Sequence, residues 1–217
     1  MLKENDDDPP PILEDLCEAG ARFYARGYAF GSTGNISVRV GGRVWITPTG
    51  RSLAALTPGE LACVDLAGDA CNANRPSKEL PFHAAIYRQR PEANAVVHLH
   101  SGYATALACL ADLNEAEPLP PLTPYYLMRV APLGVLPYFR PGSPELSAAV
   151  ELAARDHHCL LMRNHGTICA GESLGEAGDR AEELEATAHL FFRLRGERVR
   201  RLTGDETEDI RRVFGSP

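Results

Sequence analysis

Val96-Val97-His98-Leu99-His100-Ser101-Gly102 is the stretch around which the rest of the sequence is organised. An apolar run leads into two histidines that are one residue apart. Because side chains alternate between the faces of a strand, His98 and His100 point the same way if the run is a strand. Two imidazoles side by side at a strand end form half of a metal site. A pair of surface histidines is the alternative for this motif alone.

The composition indicates one globular domain. The chain has 217 residues and a formal net charge of −7, without a block of basic residues. This length allows a substantial core, and the negative charge argues against nucleic acid as a partner. The apolar runs are too short to cross a bilayer, so no membrane partner is expected. Residues 1–11 are acidic and proline-rich, which predicts a disordered tail before a single domain over 12–217.

Cysteine usage and the N-terminal residues predict a cytoplasmic protein. The six cysteines are scattered without a Cys-x-x-Cys pair. This pattern favours reduced, mostly buried thiols over a disulfide framework or a zinc ribbon. The N-terminal residues also lack the apolar segment of a signal peptide.

Helical and strand periodicities alternate along the chain and predict an α/β fold. The predicted helices are about 12–26, 77–89, 103–110, 143–155, 173–195 and 206–214. The predicted strands, besides the one that ends in the histidine pair, are 36–40, 43–47, 61–66, 159–162 and 168–170. The stretch 114–142 is proline-rich and is predicted to be irregular, with room for a strand over 133–136.

Three loops of small or polar residues lie between these elements. They are Gly31-Ser32-Thr33-Gly34-Asn35, Thr47-Pro48-Thr49-Gly50 and Arg75-Pro76-Ser77-Lys78-Glu79. Ser77 is a predicted N-cap, and the free amides and positive dipole end of a helix N-terminus suit an anion. Each loop alone is typical of an ordinary turn, but three of them beside a metal pair predict a shared phosphate site.

A third histidine ends the predicted strand over 159–162. In Arg163-Asn164-His165-Gly166-Thr167, the imidazole of His165 is placed at a strand end before a glycine, a second position from which it can project into a cleft. The other histidines are assigned to structural or solvated positions, with His83 either packing on its helix or supporting the metal site.

Taken in order, these motifs resemble the class II aldolase/adducin family. The resemblance covers 20–195 and rests on five motifs: Gly31-Ser32-Thr33-Gly34-Asn35-Ile36-Ser37, Ile46-Thr47-Pro48-Thr49-Gly50, Pro76-Ser77-Lys78-Glu79 with His83, His98-Leu99-His100 and Asn164-His165-Gly166. It implies a three-layer α/β fold with a central, mainly antiparallel sheet between helices. It also implies a homotetramer with active sites between subunits.

The same resemblance implies roles for individual residues. One divalent metal per chain, usually Zn²⁺, would be held by His98, His100 and His165, with Glu79 as the catalytic carboxylate. The positions that match the phosphate-holding residues are Ser32, Gly34, Asn35, Thr49, Gly50 and Ser77. Tyr125 or Tyr126 would enter a neighbouring subunit's site, and the local alignment leaves that choice open. Three neutral imidazoles leave zinc an open position for Lewis-acid chemistry, and a nearby carboxylate can move a proton.

Lys78 departs from the sugar-phosphate aldolases of the family, which usually carry a second serine there. A lysine adds a cation beside the phosphate loops. Together with the proline-rich segment 119–126 and Arg140-Pro141-Gly142, Lys78 resembles the decarboxylase branch of the family, whose members act on 3-oxo-tetronate 4-phosphates. The resemblance therefore implies zinc-dependent decarboxylation of a phosphorylated sugar acid to dihydroxyacetone phosphate and carbon dioxide, with Glu79 protonating an enediolate.

Other functions remain open at this point. A class II aldolase or epimerase acting on a sugar phosphate would use the same residues. A non-catalytic, adducin-like assembly domain would not need the three histidines and Glu79. A metallohydrolase shares the His-x-His pattern, but one built on an eight-fold barrel needs a longer chain.

Overall fold

A seven-stranded sheet forms the centre of the computed structural model, which describes residues 10–215. Its strands are β1 (Asn35–Val40), β2 (Arg43–Ile46), β3 (Ala62–Asp65), β4 (Ala95–Leu99), β5 (Leu133–Leu136), β6 (Cys159–Met162) and β7 (Gly166–Gly171). The order across the sheet is β3-β2-β1-β4-β7-β6-β5. Every neighbouring pair is antiparallel except β5 and β6. The predicted α/β fold with a mainly antiparallel sheet is confirmed. Most of the tail predicted over 1–11 lies outside the described residues.

Helices cover both faces of the sheet. They are α1 (Ile12–Ala25), α2 (Leu80–Gln89), α3 (Gly102–Ala108), α4 (Pro124–Arg129), α5 (Pro144–Ala153), α6 (Leu174–Arg193) and α7 (Gly204–Phe214). Buried side chains of α2 and α5 form one hydrophobic core against the sheet, and those of α1, α3, α4 and α6 form another on the opposite face. Helix α7 packs outside α4. This arrangement confirms the three predicted layers.

Strand β4 is buried on both faces, which explains its unbroken apolar run. Val97 and Leu99 belong to the core under α1 and α6, whereas Val96 belongs to the core under α2 and α5. Burying such a side chain contributes about 1.5–3 kcal/mol, and a slip of one residue would exchange the two faces. The register is thereby set, with His98 opposite Asn35 of β1 on one side and opposite Ile168 of β7 on the other.

Helices α4 and α7 begin where sequence patterning did not place them. Helix α4 lies within the stretch 114–142 that was predicted to be irregular, because Pro124 occupies its first turn and the Thr123 hydroxyl accepts the Tyr126 amide. Helix α7 begins at Gly204 because Thr203 and Glu206 form a reciprocal capping box. Both helix starts are marked by short motifs. Such motifs are lost when the composition is averaged over a longer window.

The cysteines agree with the expectation of reduced, mostly buried thiols. All six cysteines are free thiols, and four of them, Cys17, Cys63, Cys159 and Cys169, are buried. Within residues 10–215, no helix combines the length and the apolar character needed to cross a membrane.

Candidate active site

Three imidazoles meet where β4 ends. His98 is the second-last residue of β4, His100 directly follows the strand, and His165 belongs to the turn between β6 and β7. One ring nitrogen from each histidine lies within 4.8 Å of the other two. The ring centroids are 4.8 to 5.1 Å apart. The structure therefore brings together the three histidines that were predicted to hold a metal.

Two backbone features let the turn between β6 and β7 carry His165 to this point. A side chain at Gly166 would overlap the carbonyl oxygen of Leu99, so only glycine allows β7 to pass this close to β4. Asn164 has a φ of 55°, in the left-handed region that asparagine adopts more readily than most residues. The Asn-His-Gly pattern is thus explained by local geometry.

The nitrogen atoms of the cluster are arranged as metal ligands. His98 Nδ1 donates to the carbonyl oxygen of Thr167 at 2.8 Å, which is how proteins orient a ligating imidazole. His98 Nε2 then faces His100 Nε2 at 3.0 Å and Glu79 Oε2 at 3.2 Å, so it holds either a proton or a cation. Burial lowers the pKa of His100 to about 3, which keeps that ring neutral. Neutral imidazoles are what a divalent metal requires.

His165 supports the same conclusion. Its Nδ1 is buried and has no hydrogen-bond partner among residues 10–215. Its Nε2, on the other side of the ring, lies 3.3 Å from Glu79 Oε1, and the other oxygen of that carboxylate contacts His98 Nε2. His165 Nε2 therefore faces the cluster, where it can serve as the third ligand. The three histidines therefore fit a divalent metal ion.

Glu79, the residue immediately before α2, contacts the histidine cluster. Its Oε1 lies 3.3 Å from His165 Nε2, and its Oε2 accepts a hydrogen bond from Asn35 Nδ2 at 2.7 Å. Burial opposes ionisation of this side chain, but the electrostatic interaction with His98 and the hydrogen bonds with His165, His98 and Asn35 outweigh it. They hold the pKa of Glu79 well below its usual range. The resting site therefore contains a carboxylate in contact with the histidine nitrogens.

The three small-residue loops adjoin one another beside this cluster. The Thr49 amide donates to the Arg75 carbonyl at 3.1 Å, and the Ser77 amide donates to the Thr47 carbonyl at 3.2 Å. The Thr47 hydroxyl in turn accepts the Ile36 amide. Of the predicted phosphate ligands, Ser32 and Gly50 are exposed, and Gly34, Thr49 and Ser77 are half-buried.

The predicted N-cap role of Ser77 is wrong. Helix α2 begins at Leu80, and the Ser77 hydroxyl instead accepts the amide of Glu79 at 3.2 Å. Pro81 sets this start, because its nitrogen cannot donate the hydrogen bond to the Ser77 carbonyl that would begin the helix at Lys78. Pro81 has no amide proton, and the amides of Leu80 and Phe82 are bonded to nearby carbonyls. The first turn of α2 therefore offers an anion fewer free donors than predicted.

The side chain of Asn35, a predicted phosphate ligand, contacts Glu79 and His83. It is buried, and both ends of its amide are used within the protein. Nδ2 donates to Glu79, and Oδ1 lies 2.5 Å from Nε2 of His83. His83 is fully buried, and that burial lowers its pKa to about 3. The sequence predicted that His83 either packs on its helix or supports the metal site, but it gave no indication of the link through Asn35.

The two tyrosines left open by the sequence differ in accessibility. Tyr125 is 56% exposed, and the Arg129 guanidinium lies 5.7 Å from its ring centroid. Tyr126 is 4% exposed and belongs to the hydrophobic core on the α6 face. Only Tyr125 has the exposure that contact with another subunit requires.

Glu185 is a supporting residue that sequence reasoning missed. It lies on α6, is buried, and accepts the amides of Tyr103 and Ala104 at 2.9 and 2.8 Å. A carboxylate at these amides caps α3 and complements its dipole. Since α3 begins two residues after His100, this cap anchors the segment that carries the histidine pair. Only the tertiary fold brings Glu185 there, and no local motif indicates it.

A three-histidine cluster with a carboxylate, at the end of a strand in a mainly antiparallel three-layer fold, could hold a divalent metal ion and is typical of metal-dependent enzymes. The model of the Class II Aldolase and Adducin N-terminal domain family matches residues 14–192. The chain belongs to this family.

Named relatives place the chain among the lyases. The 3-oxo-tetronate 4-phosphate decarboxylase of Haemophilus influenzae is 45% identical over 198 residues, which cover 91% of this chain and 94% of the relative. The L-fuculose phosphate aldolase of Methanocaldococcus jannaschii is 36% identical over 169 residues, which cover 78% of this chain and 89% of the aldolase. The crystal structure of YgbL from Klebsiella pneumoniae has a TM-score of 0.89 and 42% identity, covering 92% of this chain and 97% of that chain. Decarboxylases and aldolases are both lyases, and this chain is a lyase.

Proposed function

We propose that the protein decarboxylates a 3-oxo-tetronate 4-phosphate to dihydroxyacetone phosphate and carbon dioxide. The observation that carries the proposal is the position of Lys78, an exposed cation between a predicted phosphate ligand, Ser77, and the half-buried carboxylate of Glu79. The similarity to decarboxylases of this substrate class supports it. Zinc is the metal we propose, held by His98, His100 and His165.

The charges at the mouth of the site suit an acid substrate. Lys78 forms no salt bridge within the described part of the chain. Gly142 packs against the backbone of Lys78: a Cβ placed on Gly142 would lie 3.4 Å from the Lys78 carbonyl oxygen. The turn that contains Gly142 also contains the exposed Arg140. Two cationic residues on adjoining backbone segments can bind two anionic groups of one substrate. A 3-oxo-tetronate 4-phosphate carries a carboxylate and a phosphate, whereas a ketose phosphate carries only the phosphate.

The proposed reaction needs one proton at carbon. When bound, the metal supplies Lewis acidity toward the oxygen atoms on which negative charge develops. The C1–C2 bond breaks, its electron pair passes into an enediolate over C2 and C3, and carbon dioxide leaves. Glu79 is a carboxylate in the resting site, so it acquires a proton from solvent in each turnover and delivers it to C2. The product is dihydroxyacetone phosphate.

We also propose the setting in which this site works. The exposure of Tyr125 beside Arg129 supports a homotetramer in which this tyrosine enters a neighbouring subunit's site. Ser32, Gly34, Thr49, Gly50 and Ser77 are the proposed phosphate-holding residues. The proposed substrate partner is a phosphorylated small-molecule sugar acid, and the scattered free thiols support a cytoplasmic location.

A substrate comparison tests the function. Protein of measured metal content is offered the stereoisomers of 3-oxo-tetronate 4-phosphate and, separately, L-fuculose 1-phosphate. We expect carbon dioxide and dihydroxyacetone phosphate from one of the acids. Efficient aldehyde release from the ketose phosphate, without carbon dioxide from any acid, would establish the aldolase function that the second named relative suggests. Turnover of neither by metal-loaded protein that assembles normally would favour an assembly domain.

Lys78→Ser tests the cation that separates the two enzyme functions. We expect weaker binding of the oxo-acid phosphate by about 2–3 kcal/mol, the upper range for a hydrogen bond to a charged group. The measurement is the substrate concentration dependence of carbon dioxide release. Arg155→Ser, which removes an exposed cation beyond the far end of α5, is the matched control. Unchanged binding in Lys78→Ser would show that Lys78 is a solvated surface residue.

A further inference from the structure

We propose that His83 is a positioning residue, which fixes the amide of Asn35 and through it holds Glu79 for proton transfer. The inference rests on the proposed role of Glu79 and extends it to groups that do not touch the substrate.

A continuous chain of hydrogen bonds leads away from Glu79 into the protein. Asn35 Nδ2 lies 2.7 Å from Glu79 Oε2, and Asn35 Oδ1 lies 2.5 Å from His83 Nε2. On the other side of the ring, His83 Nδ1 lies 2.8 Å from the Ser37 hydroxyl, which lies 2.8 Å from the Tyr87 hydroxyl. All four residues beyond Glu79 are buried. The chain joins β1 to α2 beneath the site.

The Asn35 amide determines the direction of every bond in this chain. Its nitrogen donates to Glu79 Oε2 and its oxygen faces His83 Nε2, and an amide oxygen only accepts hydrogen bonds. His83 then carries its proton on Nε2, and its Nδ1 accepts the hydroxyl proton of Ser37. The Tyr87 hydroxyl, in turn, donates to Ser37. One arrangement of protons satisfies all of these contacts.

His83 matters because an asparagine amide has two orientations of similar shape. Without a donor at Oδ1, rotation of the amide would turn its oxygen toward Glu79, and two acceptors would face each other. The donor on His83 removes that alternative. Packing alone does not require an imidazole here. The ring of His83 stacks on Phe82 at a centroid distance of 4.8 Å, a contact that an apolar ring could also make. Burying a polar ring costs free energy unless its nitrogens have hydrogen-bond partners.

The tautomer of His83 tests the chain without any substrate. Zinc-loaded protein labelled with ¹⁵N-histidine is examined by NMR at neutral pH, and the His83 signals are assigned by their loss in His83→Gln. We expect a protonated Nε2 and an unprotonated Nδ1. A protonated Nδ1 would overturn the proposal, because Nε2 would then have no proton to donate to Asn35. This readout is independent of which reaction the protein catalyses.

Kinetics of two variants test the consequence for proton transfer. His83→Leu removes the donor and should lower kcat by about 10- to 100-fold, the usual effect of losing a group that orients a site residue. KM and metal content should stay near the wild-type values. His83→Gln retains an amide donor and should recover part of the loss. Wild-type kcat in folded His83→Leu would overturn the proposal, as would equal loss in both folded variants.

The two experiments separate this proposal from the proposed function. If the wild-type protein turns over no phosphorylated oxo-acid or ketose, the proposed function fails, and the His83 tautomer still decides whether the hydrogen-bond chain exists as described. If the wild type is active and the tautomer is reversed, only the positioning role fails.

Discussion

Glu79→Gln is expected to lower kcat by about 100-fold or more, the usual scale for loss of a general acid or base. Glutamine has the size of glutamate and its amide oxygen can still accept the Asn35 hydrogen bond at 2.7 Å. It cannot take a proton from solvent and deliver it to carbon. Since the three histidines are untouched, most of the metal should remain bound. The measurements are kcat with the oxo-acid phosphate and metal content per chain.

A matched control separates this effect from a general loss of charge. Glu151→Gln removes an exposed carboxylate on α5 that pairs with Arg88, and it should leave kcat near the wild-type value. Exposed ion pairs contribute little to stability, so that variant should also fold normally. Near-normal turnover in Glu79→Gln would assign the proton transfer to another residue or to water.

His98→Ala is expected to abolish both metal binding and turnover. His98 is the central ligand of the proposed set, because its Nε2 faces both His100 and Glu79. Removing it leaves two imidazoles, and zinc sites in proteins use three or four protein ligands. The measurements are metal content after dialysis and kcat at saturating substrate. Full zinc occupancy in the variant would refute the three-histidine assignment.

Two further variants guard against loss of the fold. His98 is completely buried, so its truncation leaves a cavity that itself destabilises the protein. His100→Ala removes a ligand that is only partly buried, and it should lose metal while its thermal unfolding stays closer to that of the wild type. His189→Ala alters an exposed histidine outside the cluster and should retain both metal and activity.

Much of the site was predictable because it depends on local patterns. Alternation along a strand puts His98 and His100 on one face wherever that strand lies in the fold. Ser143 and Ser173 cap α5 and α6 as their positions before apolar periodicity indicate. The ordered small-residue loops were recognisable as a set. These features require only the residues within a few positions of each other.

Other features of the site were not predictable because they join distant segments. The orientation of Asn35 depends on Glu79 and His83, which lie on another element more than forty residues away. The distinction between Tyr125 and Tyr126 depends on which side of α4 faces the core. Ser77 was misassigned because Pro81, inside the predicted helix, moves its start to Leu80.

Local sequence patterns predicted most of the helices and strands, the histidine pair and the family to which the chain belongs. The apolar run through Val97 and the helix caps each involve residues only a few positions apart. Their contribution to the free energy of folding therefore depends mainly on neighbours in the sequence. Only the folded chain shows that Glu79 is kept ionised by the cluster and Asn35, and that Glu185 caps α3. Those results depend on burial and on charges brought together by the sheet order β1-β4-β7. Burial and long-range electrostatics follow from the packed arrangement of the whole chain, and no local pattern records them.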